Sequence, residues 1–218
     1  MVNNEDFNKI MLLETNIAAR YDEIALDYDA NTYSVLGFTS PDVLVGETLK
    51  HINNNLEGNT NISILDFCCG TGRVGGTLFS TKGMENITLT GVDISEGMLK
   101  CANELGIYNN LICDPDYLTL CDSNVYDIII VSGGFTGCIP LKGNIINESI
   151  DVLKVGGILV FNWRLNNNSK KFVSVVNELA DKSRISYVKT SFIAFTNPGS
   201  DFTAEEINQQ CYVITKLS

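Results

Sequence analysis

The chain has 218 residues, of which 44% are hydrophobic and 19% charged, and its 26 acidic and 15 basic residues give a net charge of −11. This composition is ordinary for a folded protein with one buried core, and the negative charge argues against a nucleic-acid partner because phosphate backbones are repelled. No apolar run reaches the length of a membrane span, so we expect no membrane partner. The seven cysteines lack the spacing of a zinc site or a disulfide framework, so we expect no metal. The polar, acidic start is unlike a secretory or mitochondrial leader, and we therefore expect a cytoplasmic protein.

The first part of the chain has helical periodicity. Apolar residues recur at helical spacing over 7–26 and over 43–56, and Pro41 stands at the start of the second helix. No strand pattern in this part offers a partner for a sheet. We therefore predict a single domain in which residues 1–58 form a helical lid segment on a core of residues 59–218.

From residue 62 onward, short apolar runs alternate with amphipathic stretches, which is typical of a parallel sheet covered by helices. Two later segments, 184–196 and 209–216, alternate in polarity and predict an antiparallel pair at the sheet edge. The fold class predicted is α/β, a Rossmann-like, seven-stranded, mostly parallel sheet with helices on both faces. The other predicted strands are 62–67, 87–92, 111–113, 126–131 and 158–163, and the predicted helices are 73–81, 95–105, 142–154, ended by Gly156-Gly157, and 169–182.

Acidic residues stand at the predicted carboxyl ends of the first three strands. Asp66 precedes the turn Gly70-Thr71-Gly72, Asp93 follows the second strand and Asp114 the third. These ends share the sheet edge at which α/β folds bind ligands. Glycines let backbone amides approach a ligand, and a carboxylate after the second strand can accept from both hydroxyls of a ribose. The pattern predicts a nucleoside site.

Two nucleosides fit this pattern at first sight. Gly70-x-Gly72-x-x-Gly75, followed by Asp93, also satisfies the dinucleotide fingerprint. Asp66 favours the other choice, because a carboxylate repels a pyrophosphate and attracts an ammonium or sulfonium group. We therefore expect S-adenosylmethionine rather than NAD. A NAD-dependent oxidoreductase remains the less favoured alternative, since neither a second catalytic domain nor a Ser/Tyr/Lys set is visible.

Several motifs stand in order along the chain: Leu-Asp-x-x-Cys-Gly-Thr-Gly at 65–72, Gly-Val-Asp-Ile-Ser-x-x-Met-Leu at 91–99, Asp114, Asp127 with its apolar strand, and residues 153–160. With these motifs the chain resembles the class I, seven-stranded S-adenosylmethionine-dependent methyltransferases over about residues 15–216. A further segment, Tyr21-Asp22-x-x-Ala25-x-x-Tyr28-Asp29, resembles the signature of a subgroup that includes the Williams–Beuren-region methyltransferase-like proteins. Family members usually carry glycine where Cys68 stands and proline where Val155 stands.

The resemblance implies an enzyme that transfers a methyl group from S-adenosylmethionine to a small-molecule acceptor by in-line displacement. It implies that Asp93 binds the ribose. Because Cys68 stands where family members carry glycine, we expect its side chain to narrow the space near the methionine portion. The methionine end is implied to lie against Tyr21, Tyr28, Asp66, Gly70, Thr71, Gly72 and Ser132. The adenine end is implied to lie against Ile94, Met98, Asp114 and Pro115. Simpler interpretations stay open: Met98 as core, Asp114-Pro115 as a turn start, and the tyrosines as helix packing.

No catalytic residue is assigned from the sequence. A neutral amine acceptor would need the least help, and Asp29 and Tyr33 could steer it. The segment 133–138 is expected to form the acceptor wall, and the lone His51 is expected to be structural. A non-catalytic S-adenosylmethionine-binding module or regulatory subunit is the main alternative. The acceptor, the methylated atom and the oligomeric state are left open.

Overall fold

The computed structural model describes residues 16–59, 61–81, 85–137, 144–164, 169–198 and 202–218. The helices are α1 (Ile17–Asp29), α2 (Ser40–Asn55), α3 (Arg73–Phe79), α4 (Glu96–Glu104), α5 (Tyr117–Leu120), α6 (Gly134–Gly137), α7 (Ile145–Val152), α8 (Ser169–Asp181) and α9 (Ala204–Ile207). The strands are β1 (Ile62–Phe67), β2 (Ile87–Asp93), β3 (Asn110–Cys113), β4 (Tyr126–Val131), β5 (Leu153–Arg164), β6 (Ile185–Ile193) and β7 (Asn208–Lys216). A π-helical turn, Ala30–Val35, continues α1.

The seven strands form one sheet in the order β3-β2-β1-β4-β5-β7-β6. The first five strands run parallel, and β7 runs antiparallel to both β5 and β6. The order changes direction between β1 and β4, so the carboxyl ends of these two strands flank the crevice where such sheets bind ligands. The predicted fold class, including its antiparallel pair, is confirmed.

Each face of the sheet is buried under helices, because the central strands are largely apolar at successive positions, whose side chains point to opposite faces. On one face Ile64 and Ile158 pack with residues of α2 and α3, such as Leu78. On the other face Leu65 and Phe161 pack with residues of α7 and α8. The near-continuous apolar runs predicted for strands covered on both sides are therefore explained.

One predicted helix end is wrong. Helix α7 ends at Val152, and the chain enters β5 directly, so Gly156 and Gly157 lie inside the strand. The pairing of β4 with β5 shifts register here, and Gly156 has a φ of +84°. A Cβ at Gly157 would lie 2.7 Å from the carbonyl oxygen of Asp127. The paired glycines therefore allow a β-bulge rather than ending a helix.

The amino-terminal segment differs from its prediction in two ways. The first predicted helix, 7–26, is described from Ile17 onward and runs on to Asp29, while residues 1–15 lie outside the described part of the chain. The segment was expected to have no strand partner, yet Phe38 forms an antiparallel bridge with Phe195. This bridge joins the segment to the chain between β6 and β7. Among the described residues, no helix is long and apolar enough to cross a membrane.

Candidate functional site

A glycine turn, residues 69–72, connects β1 to α3 at the carboxyl edge of the sheet. Gly70 and Gly72 have φ values of +54° and +89°, which favour glycine. A Cβ at Gly72 would lie 2.8 Å from Leu105 Cδ1, so the close approach also excludes a side chain. The Cys69 amide donates to the Val92 carbonyl oxygen at 3.0 Å, which fixes the turn against β2.

Asp93 joins this glycine turn to the start of α4. One carboxylate oxygen, Oδ2, accepts from the Gly70 amide at 2.8 Å, and Oδ1 accepts from the Ser95 amide at 3.0 Å. Ser95 in turn caps α4, because its hydroxyl oxygen accepts from the Met98 amide at 3.0 Å. Burial raises the pKa of Asp93, and the backbone amides oppose that rise. Asp93, the residue predicted to bind the ribose, thus lies between the glycine turn and the loop that precedes α4.

Asp66, the other predicted acidic residue of the turn, is completely buried. Its Oδ2 accepts from the Tyr108 hydroxyl at 2.7 Å, while its buried Oδ1 has no hydrogen-bond partner in the described part of the chain. Burial raises the pKa of Asp66 to about 7, although hydrogen bonds from the Tyr108 hydroxyl and the Gly75 amide oppose the rise. The full negative charge that the sequence argument attributed to Asp66 is therefore only partly present at neutral pH.

Tyr108, between α4 and β3, is a residue that sequence reasoning missed. Its ring fills the space beside two glycines: a Cβ at Gly75 would lie 2.6 Å from the Tyr108 hydroxyl oxygen, and one at Gly91 would lie 2.8 Å from the ring. Gly75, which completes the dinucleotide fingerprint, is thus explained by the packing of a tyrosine. No motif in the sequence links Tyr108 to Asp66, because the two residues meet only in the fold.

The residues implied for the adenine end are brought near one another but also serve the fold. Met98 is 1% exposed and packs with Ile24 and Ala25 of α1. Asp114 Oδ1 accepts from the Asp116 amide at 2.8 Å, as a turn-forming carboxylate does. Ile94 is partly buried, and its carbonyl oxygen accepts from Cys113 Sγ at 3.5 Å. Pro115, the last residue of this group, is exposed.

Ser132 and Cys68 lie where the strand order changes direction. Cys68 has a φ of +62°, and its Sγ lies 2.7 Å from the position that a Cβ on Gly134 would take. The Ser132 hydroxyl oxygen is buried and has no partner among the described residues. The Gly133 amide donates to Asn162 Oδ1 at 2.7 Å. The predicted methionine end is therefore close to the start of the predicted acceptor wall, residues 133–138, of which only the last residue lies outside the described part of the chain.

A row of aromatic rings begins in α1 and continues along the carboxyl edge of the sheet. We call it the aromatic row, and it consists of Tyr21, Tyr28, Tyr33, Phe38 and Phe195. Successive ring centroids lie 6.0, 6.3, 6.0 and 4.9 Å apart. The tip of the Phe38 ring lies 3.9 Å from where a Cβ on the nearby glycine 133 would stand. The tyrosines predicted at the methionine end are thus continuous with rings beside the end of β4.

Asp29 and Tyr33, suggested as guides for an amine, are both engaged within the chain. The Asp29 carboxylate accepts from the Thr71 hydroxyl, and the Arg73 guanidinium lies 5.1 Å from the Tyr33 ring centroid. One face of the ring is therefore already covered by a cation. Burial raises the pKa of Tyr33 well above its usual range, so the phenol is neutral.

The remaining candidates carry no assigned chemistry. His51 lies in α2, where its Nδ1 is 3.2 Å from Asn55 Nδ2, and burial lowers its pKa. No cluster of three or more histidine, cysteine, aspartate or glutamate residues able to hold a metal is found in the described ranges.

The strand order, the reversed β7 and a glycine turn with acidic strand ends at the switch point together define a Rossmann-like protein of the class I methyltransferase fold. The chain belongs to the methyltransferase domain family, whose model matches residues 59–192. The resemblance to class I methyltransferases is confirmed.

Curated relatives carry methyltransferase names. The chain is 29% identical over 166 residues to methyltransferase-like protein 27 of Homo sapiens, covering 74% of this chain and 63% of that protein. It is 31% identical over 155 residues to malonyl-[acyl-carrier protein] O-methyltransferase of Buchnera aphidicola, covering 69% of this chain and 55% of that protein. The chain thus spans less than two thirds of the length of these relatives.

Solved structures share the fold over nearly the whole chain. The plantazolicin methyltransferase BpumL in complex with SAH matches with a TM-score of 0.60 and 19% identity, covering 97% of this chain and 98% of that one. The CurJ carbon methyltransferase matches with a TM-score of 0.65 and 14% identity, covering 94% and 62%. At this level of identity the likeness concerns the fold.

Proposed function

We propose that this chain binds S-adenosylmethionine at the carboxyl edge of β1 and β2 and transfers its methyl group to a small-molecule acceptor. Family membership and the strand order support the cofactor class. We include in the proposal a single domain, with residues 1–58 as a lid segment on a core of residues 59–218.

The observation that carries the proposal is the position of Asp93. Its carboxylate lies between the Gly70 amide and the Ser95 amide, at the junction of the glycine turn and α4. Each carboxylate oxygen can accept more than one hydrogen bond, so acceptor capacity remains for the two hydroxyls of a ribose. A carboxylate at this position accepts hydrogen bonds from a neutral sugar, whereas it would repel a phosphate.

The residues present also fit the methionine portion of the cofactor. Two buried polar oxygens, Asp66 Oδ1 and Ser132 Oγ, have no partner among the described residues, and they belong to the ends of adjacent strands. A buried polar group without a partner costs about 1–3 kcal/mol, so a ligand that donates to these oxygens would be stabilised. An ammonium group beside Asp66 would also favour its ionised form.

The cofactor, when bound, supplies an electrophilic methyl group on a sulfonium. The chain contributes alignment and exclusion of water rather than a covalent step. Under this proposal the glycine turn and Asp66 orient the methionine portion, and the tyrosines of α1 cover it. We assign no general base.

We place the acceptor beside the Phe38 end of the aromatic row, next to Gly133. The rings there supply apolar contact area. The Gly133 amide donates to Asn162 Oδ1 and is therefore already paired within the chain. An amine remains the simplest acceptor class, but the cover of Arg73 on Tyr33 weakens the role of that ring in attracting a cation. Two curated relatives are named for methylating malonyl-[acyl-carrier protein] and demethylmenaquinone, which extends the range of acceptors to test.

The main alternative is a non-catalytic S-adenosylmethionine-binding module. It shares the cofactor site, so only methyl transfer to an acceptor separates it from the enzyme. A nicotinamide oxidoreductase is less favoured, because Gly75 is explained by the Tyr108 ring rather than by a pyrophosphate.

Calorimetric titration of the purified chain with S-adenosylmethionine, S-adenosylhomocysteine and NAD tests the proposal. We expect both adenosyl ligands to bind and NAD not to bind. Asp93→Ala should weaken S-adenosylhomocysteine binding at least tenfold, because hydrogen bonds to a charged group each contribute about 1.5–3 kcal/mol.

Asp122→Ala is the matched control, because Asp122 is an exposed carboxylate beyond α5. Its affinity should equal that of the parent chain. Binding of NAD alone, or equal affinity in the Asp93 and Asp122 variants, would contradict the proposed site. Methyl transfer from labelled S-adenosylmethionine to a panel of amine, acyl-thioester and quinol acceptors then separates the enzyme from the binding module.

A further inference from the structure

Helix α1 carries two aspartates, Asp22 and Asp29, that each follow a tyrosine and each bind a different loop of the candidate site. They stand seven residues apart, which is about two helical turns and about 10 Å along the axis. Asp22 reaches the start of α4, and Asp29 reaches the glycine turn. The helix therefore spans the two loops between which the ribose is proposed to bind.

At the first contact, Asp22 Oδ1 accepts from the Ser95 hydroxyl and from the Gly97 amide, both at 2.7 Å. An anion at a helix amino terminus is stabilised by the unpaired amides and the helix dipole. These two hydrogen bonds lower the pKa of Asp22, so the group is ionised at neutral pH. A Cβ at Gly97 would lie 3.0 Å from Asp22 Cα, so the two backbones are in direct contact.

At the second contact, the Asp29 carboxylate accepts from the Thr71 hydroxyl. Thr71 is 6% exposed and stands between the two glycines of the turn. The turn has little other side-chain material with which to hold its position, because the neighbouring glycines have none. Asp29 therefore restrains the turn through the one polar side chain that it offers.

Between these contacts the helix is packed rather than loosely placed. Ile24 is 0% and Ala25 4% exposed, and they pack with Met98 of α4. The Cys101 thiol lies 3.8 Å from the Ala25 carbonyl oxygen. The aspartates are thus held at fixed positions over the two loops.

The same two loops are joined from within the sheet by Asp93, which accepts from Gly70 and Ser95 amides. We infer that Asp22 and Asp29 are positioning residues that hold the glycine turn and the start of α4 at the separation an adenosyl ligand requires. They act through Ser95 and Thr71. This inference rests on the proposed function. Within the two Tyr-Asp pairs, the tyrosines belong to the aromatic row, and the aspartates set the distance between the glycine turn and the start of α4.

The test measures binding of S-adenosylhomocysteine to the full chain by calorimetry, and its dissociation rate by stopped-flow displacement, well below the melting temperature. We expect Asp22→Ala and Asp29→Ala each to weaken binding about tenfold, mainly through faster dissociation, and the double variant about a hundredfold. Asp22→Asn keeps an accepting oxygen and should restore part of the loss. Glu23→Ala, which removes an exposed carboxylate of the same helix, should bind as the parent chain does.

A double-variant cycle identifies the path of the effect. Thr71→Val removes the hydroxyl that donates to Asp29, so adding Asp29→Ala to Thr71→Val should cause no further loss. Fully additive losses in this pair would contradict the inference.

Thermal melting of each ligand-free variant separates positioning from folding. Lower stability with parent-like affinity in both aspartate variants overturns the inference, because the residues would then serve the fold alone. Failure of the parent chain itself to bind S-adenosylhomocysteine overturns the proposed function instead, so the two failures are distinguishable.

Discussion

At the scale of single residues, Asp66 combines complete burial with a carboxyl group. Its only described hydrogen bond to a side chain comes from Tyr108, and its pKa is raised to about 7 from an ordinary value of 3.8. The folded chain therefore keeps a proton that the unfolded chain loses near pH 4. The contribution of Asp66 to folding stability therefore falls as pH rises from about 4 to about 7, and it levels off above that range.

Asp66→Asn should remove this dependence, because an amide does not titrate. The measured quantity is the free energy of unfolding of the variant minus that of the parent chain. This difference should be larger at pH 8 than at pH 4 by an amount on the order of 4 kcal/mol. Urea unfolding followed by circular dichroism at several pH values measures the difference.

Tyr108→Phe is the companion variant, since it deletes the hydroxyl that favours the ionised form of Asp66. Its loss of stability should extend to higher pH than in the parent chain. A difference between Asp66→Asn and parent that stays constant across the range would show that Asp66 has an ordinary pKa.

Among the elements, β5 carries a buried polar network beneath the predicted acceptor wall. Asn162 is 0% exposed, accepts from the Gly133 amide at 2.7 Å, and donates to Gln209 Oε1 of β7 at 2.6 Å. The network joins the end of β4 to the antiparallel part of the sheet. Its polar groups are satisfied by one another, so removing one member leaves others buried without a partner.

Asn162→Ala should lower the free energy of unfolding by about 1–3 kcal/mol, because the Gly133 amide loses its acceptor. Combined with Gln209→Ala, the loss should be smaller than the sum of the two single losses, since they share one hydrogen bond. Denaturant titration provides the values. Thr190→Ala, at an exposed position of β6, should change stability by less than about 0.5 kcal/mol. Strict additivity of Asn162→Ala and Gln209→Ala would refute the coupling.

The strands were predictable because burial on both faces leaves a direct trace in the sequence. The runs at 62–67 and 126–131 match β1 and β4 residue for residue, and Ser95 caps α4 as its residue type predicts. The β-bulge at Gly156-Gly157 was not predictable, since paired glycines suit a helix end equally well. The π-helical turn Ala30–Val35 was not predicted, because it has no sequence pattern of its own.

At the scale of the whole molecule, the charge of −11 predicts the absence of nucleic-acid binding. We expect no saturable binding to a duplex DNA or a transfer RNA in fluorescence anisotropy at 150 mM salt. Lowering the salt should not produce binding either, because repulsion between like charges then grows. Tight binding that weakens steeply with added salt would contradict this expectation, since it would indicate a cationic surface.

The candidate site was predictable only where one short segment contains the chemistry. The glycine turn and Asp93 stand in contiguous motifs, and they lie at the same edge of the sheet, where the Gly70 amide donates to Asp93. The hydrogen bonds of Asp66 with Tyr108 and of Asp22 with Ser95 join residues 42 and 73 positions apart, and no local pattern encodes them. Such contacts follow from the packing of helices on the sheet, which a single sequence does not specify.

The π-helical turn gives the spacing between α1 and the Phe38 bridge a particular importance. Each residue of an α-helix turns the chain by about 100°, and each residue of the wider π-helix by less, so deleting one residue from Ala30–Val35 would rotate α1 relative to that bridge. Such a rotation would swing Asp22 away from Ser95, whereas most substitutions within the turn would leave the direction of the helix unchanged. In this segment the number of residues is a stricter constraint than their identity, and natural variants are expected to differ there in side chains rather than in length.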